Sequence, residues 1–350
     1  MLMNSKTAEV APRRRRRTDR GPHKPTIADV AKVAGVSAAA VSYVLNGRTQ
    51  EVSQATAERV MRVVRELGYV KNLAAAALTG QKSRMIAVIM PGLYDPAIAG
   101  EQSINPFFGE FLVRLEAEAR RRRYTVCFYS GREEDYVHFL LERNMDAAVL
   151  VGFSEWDLPG VLQRRDVRCV LYDSFGHETE HCHVRTDEVK GGYLAAERLI
   201  DIGKRRIVFA GAQPSEHSNN VPSSRYRGAL KACQAAGANL ERMEIPTSYE
   251  AGVAAARAVV ELGVDGIVCT ADIIAAGLVE GLARIGKSIP DEIAVMGYDN
   301  LPVCTYTRPH LSTIDQGLSG KIKAVLDLVE NPAAGRVRVM DPVLVVRESA

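Results

Sequence analysis

The sequence predicts a small all-α head followed by a larger α/β body. Three observations carry this. Residues 26–70 hold three short segments with apolar residues at helical spacing and no strand-like run. From Met85 onward, short apolar runs alternate with amphipathic helical segments, as in parallel, doubly wound sheets. Charge divides along the same line. Residues 1–83 hold 15 Lys+Arg against 6 Asp+Glu, a net of +9, in a chain whose overall charge is only +3. A basic head on a mildly acidic body points to a polyanion as the head's partner.

The 350 residues are enough for two or three units with cores of their own. At 47% hydrophobic and 25% charged, the composition is that of an ordinary soluble protein. No apolar run approaches the roughly 18–20 residues of a membrane span. No apolar core follows Arg13–Arg17, so no secretory leader is read and a cytoplasmic location is expected. The six cysteines (Cys127, Cys169, Cys182, Cys233, Cys269, Cys304) form no C-x-x-C pair and read as buried thiols of a reducing compartment.

Residues 1–24 lack any hydrophobic period and are expected to form a disordered basic tail. Residues 25–71 form the head. Thr26 caps a first helix, with Asp29 closing a capping box and Ile27, Val30, Ala31 and Ala34 forming one stripe. Gly35 permits a tight turn. Ser37 caps a second helix with Val41, Val44 and Leu45 inward, ended by Gly47; Ser53 caps a third, with Ala57, Val60, Met61, Val64 and Leu67 on one face. The pattern fits a helix-turn-helix, and by itself fits another helical cap too. Residues 72–83 begin with an alanine-rich stretch capped by Asn72, too short to hold a helix alone in water, and continue as a polar linker.

Residues 84–350 form the body. Its strand-like runs are MIAVIM, YTVCFYS, DAAVLVG, RCVLYD, RRIVFAG, DGIVCT, EIAVMGYD and VRVMDPVLVV. Between them lie helical patterns such as FFGEFLVRLEAEARRR, GGYLAAERLIDIG, YRGALKACQAAG, IIAAGLVEGLARIG and GKIKAVLDLVEN. This is more chain than one sheet normally uses, so two α/β lobes are expected. His177, His181, Cys182 and His183 cluster in HETEHCH, but no second half of a metal site accompanies them, and no metal is expected. Arg120–Arg123 suits a solvated helix end. With no G-x-S-x-G, no Walker loop and no G-x-G-x-x-G after a strand, neither an enzyme nor a cofactor is expected.

The head segment TIADVAKVAGVSAAAVSYVLNG, followed by VSQATAERV and LGYVKN, closely resembles the lactose/galactose repressor (LacI/GalR) family. It departs from that family's pattern at Ala40 (usually Thr), Tyr43 (usually Arg) and Lys71 (usually Pro). The resemblance implies that the helix after Ser37 enters the major groove of DNA, with Ala38, Ala39 and Tyr43 nearest the bases. It implies that Thr26, Ser37, Ser42, Asn46, Ser53 and Thr56 meet phosphates. NLAAAAL, with Asn72, Ala75 and Leu78, matches the family's hinge helix, which folds when two copies pair over the minor groove, and Leu78 matches its wedge. Alanines at 38 and 39 cannot form bidentate bonds to bases, so methyl contacts and DNA deformability should supply much of the discrimination.

The body resembles the same family, and the sugar-binding proteins of the periplasm. NPFF (105–108), DEVKGGYLAAERLIDIGKRRIVFAG (187–211), SSRYRGAL (223–230), ADIIAAG (271–277), MGYDN (296–300) and LSTIDQ (311–316) carry that likeness. It implies two lobes joined by three crossings, one of about 84–184 plus 314–336, the other of about 186–312 plus 340–347. It implies a cleft between them holding a small, sugar-like or otherwise polar effector. Arg225, Asp299, Asp173 and Asp272 are the implied polar contacts, a structural ion pair being the alternative at the first three. Ala271 stands where the family usually has Asn, which weakens a simple-sugar reading. Phe108, Trp156 and Tyr298 are candidate stacking rings, with a core role as the alternative.

The expected protein is thus a ligand-responsive DNA-binding regulator, a repressor acting as a homodimer on a near-palindromic operator. No leucine heptad follows VVRES, so a dimer is expected and not a tetramer. A solute receptor would share the body but need a leader and no basic head. An α/β enzyme would need a nucleophile, base or cofactor loop at a strand end.

Overall fold

The computed structural model describes residues 24–70, 82–90, 105–130, 136, 139–140, 142–153, 167–175, 181–212, 220–334 and 336–350. The basic tail up to residue 23, the hinge candidates Asn72, Ala75 and Leu78, and Trp156 and His177 lie outside these. The chain divides into a small unit ending at Leu78 and a larger one from Thr79 to Ala350.

The small unit contains α1 (Ile27–Ala34), α2 (Ala38–Leu45) and α3 (Gln54–Glu66). Each starts where a hydroxyl side chain satisfies an orphan amide. Thr26 forms the capping box with Asp29, Ser37 accepts from the Ala40 amide, and Ser53 accepts from the Thr56 amide. Gly35 ends α1 in the left-handed region at φ 64°, and α2 then leaves at 107° to α1, the crossing of a helix-turn-helix. Val30, Ala31, Ala34, Val41, Val44, Val60 and Val63 form its core. The stripes read for α1 and α2 meet there; on α3 the buried residues are Val60 and Val63, while Met61, expected on the same face, is 38% exposed.

The large unit holds two six-stranded sheets. The first has the order β11-β5-β4-β3-β1-β2 and the second β12-β10-β9-β8-β6-β7. The strands of the first are β1 (Met85–Ile89), β2 (Thr125–Tyr129), β3 (Ala147–Val151), β4 (Arg168–Tyr172), β5 (Cys182–Thr186) and β11 (Val337–Met340). Those of the second are β6 (Arg206–Gly211), β7 (Asn239–Glu244), β8 (Gly266–Cys269), β9 (Ala294–Tyr298), β10 (Ser312–Asp315) and β12 (Val343–Val345). All pairings are parallel except β10 with β12. The central strands β3 and β9 are buried at every residue, which explains their unbroken apolar runs.

Helices cover both sheets: α4 (Pro106–Arg121), α5 (Glu188–Asp201), α6 (Val221–Ala236), α7 (Tyr249–Glu261), α8 (Asp272–Arg284) and α9 (Leu318–Glu330). The chain crosses between lobes after β5, after β10 and after β11. After the second crossing α9 packs on the first lobe, where Leu318, Ile322, Val325 and Val329 join Phe107, Phe111, Leu115 and Val170 in one core.

Two differences from the sequence reading have simple causes. The run VRVMDPVLVV is not one strand of the second lobe but two, β11 in the first sheet and β12 in the second. Asp341 and Pro342 fall between them, and Pro342 cannot donate to a ladder. Strand β7 (NLERME) lacks the apolar signature because it is the sheet's edge, with Asn239, Glu241, Arg242 and Glu244 exposed. Among the described residues no single helix is long and apolar enough to cross a membrane.

Candidate functional site

Two surfaces carry chemistry. The first is the outer face of α2. Val41 and Val44 are buried beneath it, so helical geometry turns Ala38, Ala39 and Tyr43 outward, with Ser37 and Asn46 at its two ends. No acidic or basic side chain lies on α2. Ser42 accepts from the Asn46 side-chain amide at 3.2 Å. The Ser53 hydroxyl donates to Thr56 Oγ1 at 2.9 Å and the Thr26 hydroxyl to Asp29 at 2.7 Å. Their first task in the free head is therefore capping, and a phosphate would have to compete for those protons.

The second surface is a pocket of about 380 Å³ between the lobes. Both sheets point the carboxyl ends of their strands at it, and three helix N-termini open on it or beside it. Asn105 caps α4 and delivers Phe107 and Phe108; Asn220 caps α6 and places Arg225 one turn in; Asp187 caps α5 and places Glu188 just behind. Asp173 follows β4 and Asp299 follows β9, with φ values of 46° and 120°. Both are left-handed conformations that a side chain adopts at a cost, and here both aim a carboxylate at the pocket.

Arg225 is held from below. Its Nε and Nη2 donate to the two oxygens of Glu188 at 2.7 and 3.2 Å, and Nη1 donates to the Thr270 carbonyl at 2.6 Å. The guanidinium carbon lies 3.5 Å from the centre of the Tyr298 ring, and the Tyr298 hydroxyl donates to Glu188 at 2.6 Å. Tyr298 is thus a buried support for Arg225 and not a ring on the pocket lining. Glu188, 3% exposed, was not singled out from sequence, although an acidic residue in the first turn of α5 was visible.

A second buried chain links the lobes. Lys321 of α9, fully buried, donates to Asp173 Oδ2 at 2.7 Å and to Gln316 Oε1. Gln316, in the second crossing, donates through Nε2 to Asp299 Oδ1 at 2.6 Å. Lys321 Nζ also lies 4.6 Å from the centre of the Tyr172 ring. Burial raises the pKa of Asp299 well above the usual carboxyl value, against the pull of Arg225 and with Asp272 and Glu188 adding to the rise. Burial also raises Asp173, opposed by Lys321. The sequence reading singles out neither Lys321 nor Gln316 as part of a site.

The structure brings Arg225, Asp299, Asp173 and Phe108 to one lining. It does not bring Asp272 there. That carboxylate is fully buried and accepts from the Leu301 amide at 2.7 Å and the Thr313 hydroxyl at 2.6 Å. Its two oxygens tie α8 to the turn after Asp299 and to β10, so it positions Asp299 from behind. No side chain caps α8 at Ala271. Among the described residues no group of His, Cys, Asp and Glu is arranged to hold a metal.

Comparison with known proteins covers the units that carry both surfaces. Residues 26–72 match the model of bacterial regulatory proteins of the lacI family, and residues 196–350 match the periplasmic binding protein-like domain. The HTH-type transcriptional repressor PurR of Vibrio campbellii is 30% identical over 344 residues, covering 93% of this chain and 98% of the relative. A solved complex of the transcriptional regulator CelR with cellobiose is 26% identical with a TM-score of 0.65, covering 93% of this chain and 100% of that one. The lac repressor dimer bound to operator and the anti-inducer ONPF shares the fold at a TM-score of 0.77, with 22% identity over 93% of this chain and 99% of that one. With a helix-turn-helix head and a two-lobed binding body in one chain, the protein belongs to the lacI family of bacterial regulatory proteins and is a ligand-responsive, DNA-binding transcriptional regulator.

Proposed function

We propose that the protein is a cytoplasmic repressor that binds a near-palindromic operator as a homodimer, and that a small polar metabolite in the inter-lobe pocket controls it. The observation that carries this is the pocket's divided ownership: Phe108 and Asp173 come from one lobe, Arg225 and Asp299 from the other. A ligand touching all four binds one angle between the lobes better than another, so it shifts the population of angles. The hinge segment around Asn72, Ala75 and Leu78 is the proposed readout, folding over the minor groove when two copies are held at the right spacing. CelR in complex with cellobiose and the lac repressor on its operator support the saccharide class and the dimer.

The experiment is operator titration with and without a panel of mono- and disaccharides and other small cyclic metabolites. A member of the panel is expected to change operator affinity, and Arg225→Ala to abolish that change. Leu78→Ala is expected to lose operator affinity while still binding the ligand. A response unaltered by Arg225→Ala removes the pocket from the mechanism, and unaltered operator affinity in Leu78→Ala removes the hinge.

A further inference from the structure

Among the described residues one carboxylate on the pocket has no paired cation, and that names a class of ligand. The carboxylates at or just behind the floor are, among the described residues, Asp173, Glu188, Asp272 and Asp299; the cations acting on them are Arg225, Lys321 and Arg347, while Arg185 lies over the Phe175 ring at 5.6 Å. The pairing is specific. Arg225 is committed to Glu188 in a two-oxygen fork, and Lys321 to Asp173. Arg347 faces Asp272 from behind the floor, its guanidinium bonded to Asn300 and the Leu311 carbonyl. Asp299, only 6% exposed, receives one hydrogen bond, from the neutral Gln316 amide, and among the described residues no ion pair, Arg225 and Lys321 acting on it only at longer range. Asp173 has a second unmet demand: its Oδ1 is buried with no hydrogen-bond partner, while its Oδ2 holds Lys321.

Two acceptor oxygens, one in each lobe, therefore line the same cavity beside four phenylalanine rings, Phe107, Phe108, Phe153 and Phe175. A buried carboxylate without a counter-charge is costly, and a neutral hydroxyl relieves only part of that cost. An anionic ligand would meet an Arg225 already neutralised by Glu188 and would add to the excess. An ammonium group supplies the missing charge and three donors, and aromatic faces suit its neighbourhood.

We propose that the effector is a cationic, ring-bearing metabolite, an amine of the amino-sugar or aralkylamine kind, whose ammonium pairs with Asp299 and donates to the free oxygen of Asp173 while its ring lies among the phenylalanines. This rests on the reading of the pocket as the effector site and narrows it. Pairing with Asp299 while donating to Asp173 also favours the lobe arrangement in which both face the same ligand, so the ligand's ammonium itself drives the population shift.

The test uses the full chain near neutral pH and follows its thermal midpoint. The probes are D-glucosamine, D-galactosamine, tyramine and histamine. Each is run beside an uncharged counterpart bearing hydroxyl or N-acetyl in place of the amine, with glucose 6-phosphate and citrate as anions. At least one amine is expected to stabilise the protein, its uncharged counterpart to bind about tenfold more weakly or worse, and Asp299→Asn to weaken the amine by a similar factor. Asp173→Asn, which keeps an acceptor toward Lys321, is a second variant should Asp299→Asn fail to fold. Equal binding of amine and counterpart, an amine indifferent to both substitutions, or no amine binding overturns the proposal. An uncharged or anionic ligand whose binding Arg225→Ala abolishes overturns the charge assignment alone and leaves the pocket as the effector site. A ligand indifferent to Arg225→Ala, or none in any class, overturns both.

Discussion

A β-carbon on Gly192 would lie 1.9 Å from the backbone carbonyl oxygen of Arg225. One turn further on, a β-carbon on Gly228 would lie 1.9 Å from the carbonyl oxygen of Val189. Helices α5 and α6 therefore touch backbone to backbone through a reciprocal pair of glycines, and that contact sets Arg225 against Glu188. Gly192→Ala must push α6 outward. It is expected to cost about 1–3 kcal/mol of body stability and to weaken any ligand that depends on Arg225. Urea unfolding of the full chain measures the first effect; an unchanged midpoint would show that the helices separate freely.

Glu188→Gln keeps the shape of the side chain and removes its charge. It leaves Arg225 buried without a counter-ion, a loss of about 3–5 kcal/mol for a broken buried pair. Adding Arg225→Met should recover a large part of that loss, because it removes the uncompensated cation. A double-mutant cycle in urea is the measurement, and a double variant no more stable than Glu188→Gln would argue against the ion pair as the cause.

Asp299 links stability to pH. Burial raises its carboxyl pKa well above the usual value in the folded state. The native state therefore holds that proton more tightly than the unfolded chain, which titrates at about 4. Between those two values this group's contribution to stability falls as pH rises. Asp299→Asn should match or exceed the native thermal midpoint near neutral pH in ligand-free protein. The gap should close toward pH about 4, and a gap that widens there would contradict the assignment.

The Ser37 cap is testable at the level of one helix. Its Oγ accepts from the Ala40 amide at 3.1 Å. Ser37→Ala should cost about 1 kcal/mol, read as faster hydrogen exchange at the amides of α2 with little change in the body. Uniform acceleration across the chain would be the contrary result.

The outer face of α2 predicts a selectivity change. Ala39 stands one turn from Tyr43 on that face, and glutamine there adds a fork suited to adenine. Ala39→Gln is expected to alter the preferred operator by about 1–3 kcal/mol at one base pair per half-site, measured by selection from randomised DNA. An unchanged consensus would remove α2 from the groove. Operator affinity should also fall steeply with salt for a head this basic.

Much of this architecture was legible in the chain. Caps and apolar stripes are local chemistry, so Thr26, Ser37, Ser53 and six of the seven core residues of the head could be read from spacing; on α3 the reading took the exposed Met61 and missed the buried Val63. Apolar runs announced the parallel sheets at β1, β3, β4, β6, β8 and β9, but not at β5 (CHVRT) or β10 (STID), buried strands whose polar residues break the run. The same logic hid β7, whose edge position removes the apolar signature, and merged β11 with β12, whose separation depends on which sheet each one meets. At the site, motif likeness pointed to Arg225, Asp299 and Asp173. It also pointed to Asp272, which the fold turns inward, and it passed over Glu188, Gln316 and Lys321.

The division has a physical reason. Helix starts, turn glycines and strand periodicity depend on neighbours a few residues away, so the sequence by itself determined the head and the α/β class of the body. Whether a charged side chain faces ligand or is consumed by a partner depends on residues far apart in the chain. Lys321 meets Asp173 across 148 positions and Tyr298 meets Glu188 across 110. Only the tertiary structure brings those groups out of water together, and only there do burial and pairing decide that Arg225 is paired with Glu188 while Asp299 receives the neutral amide of Gln316.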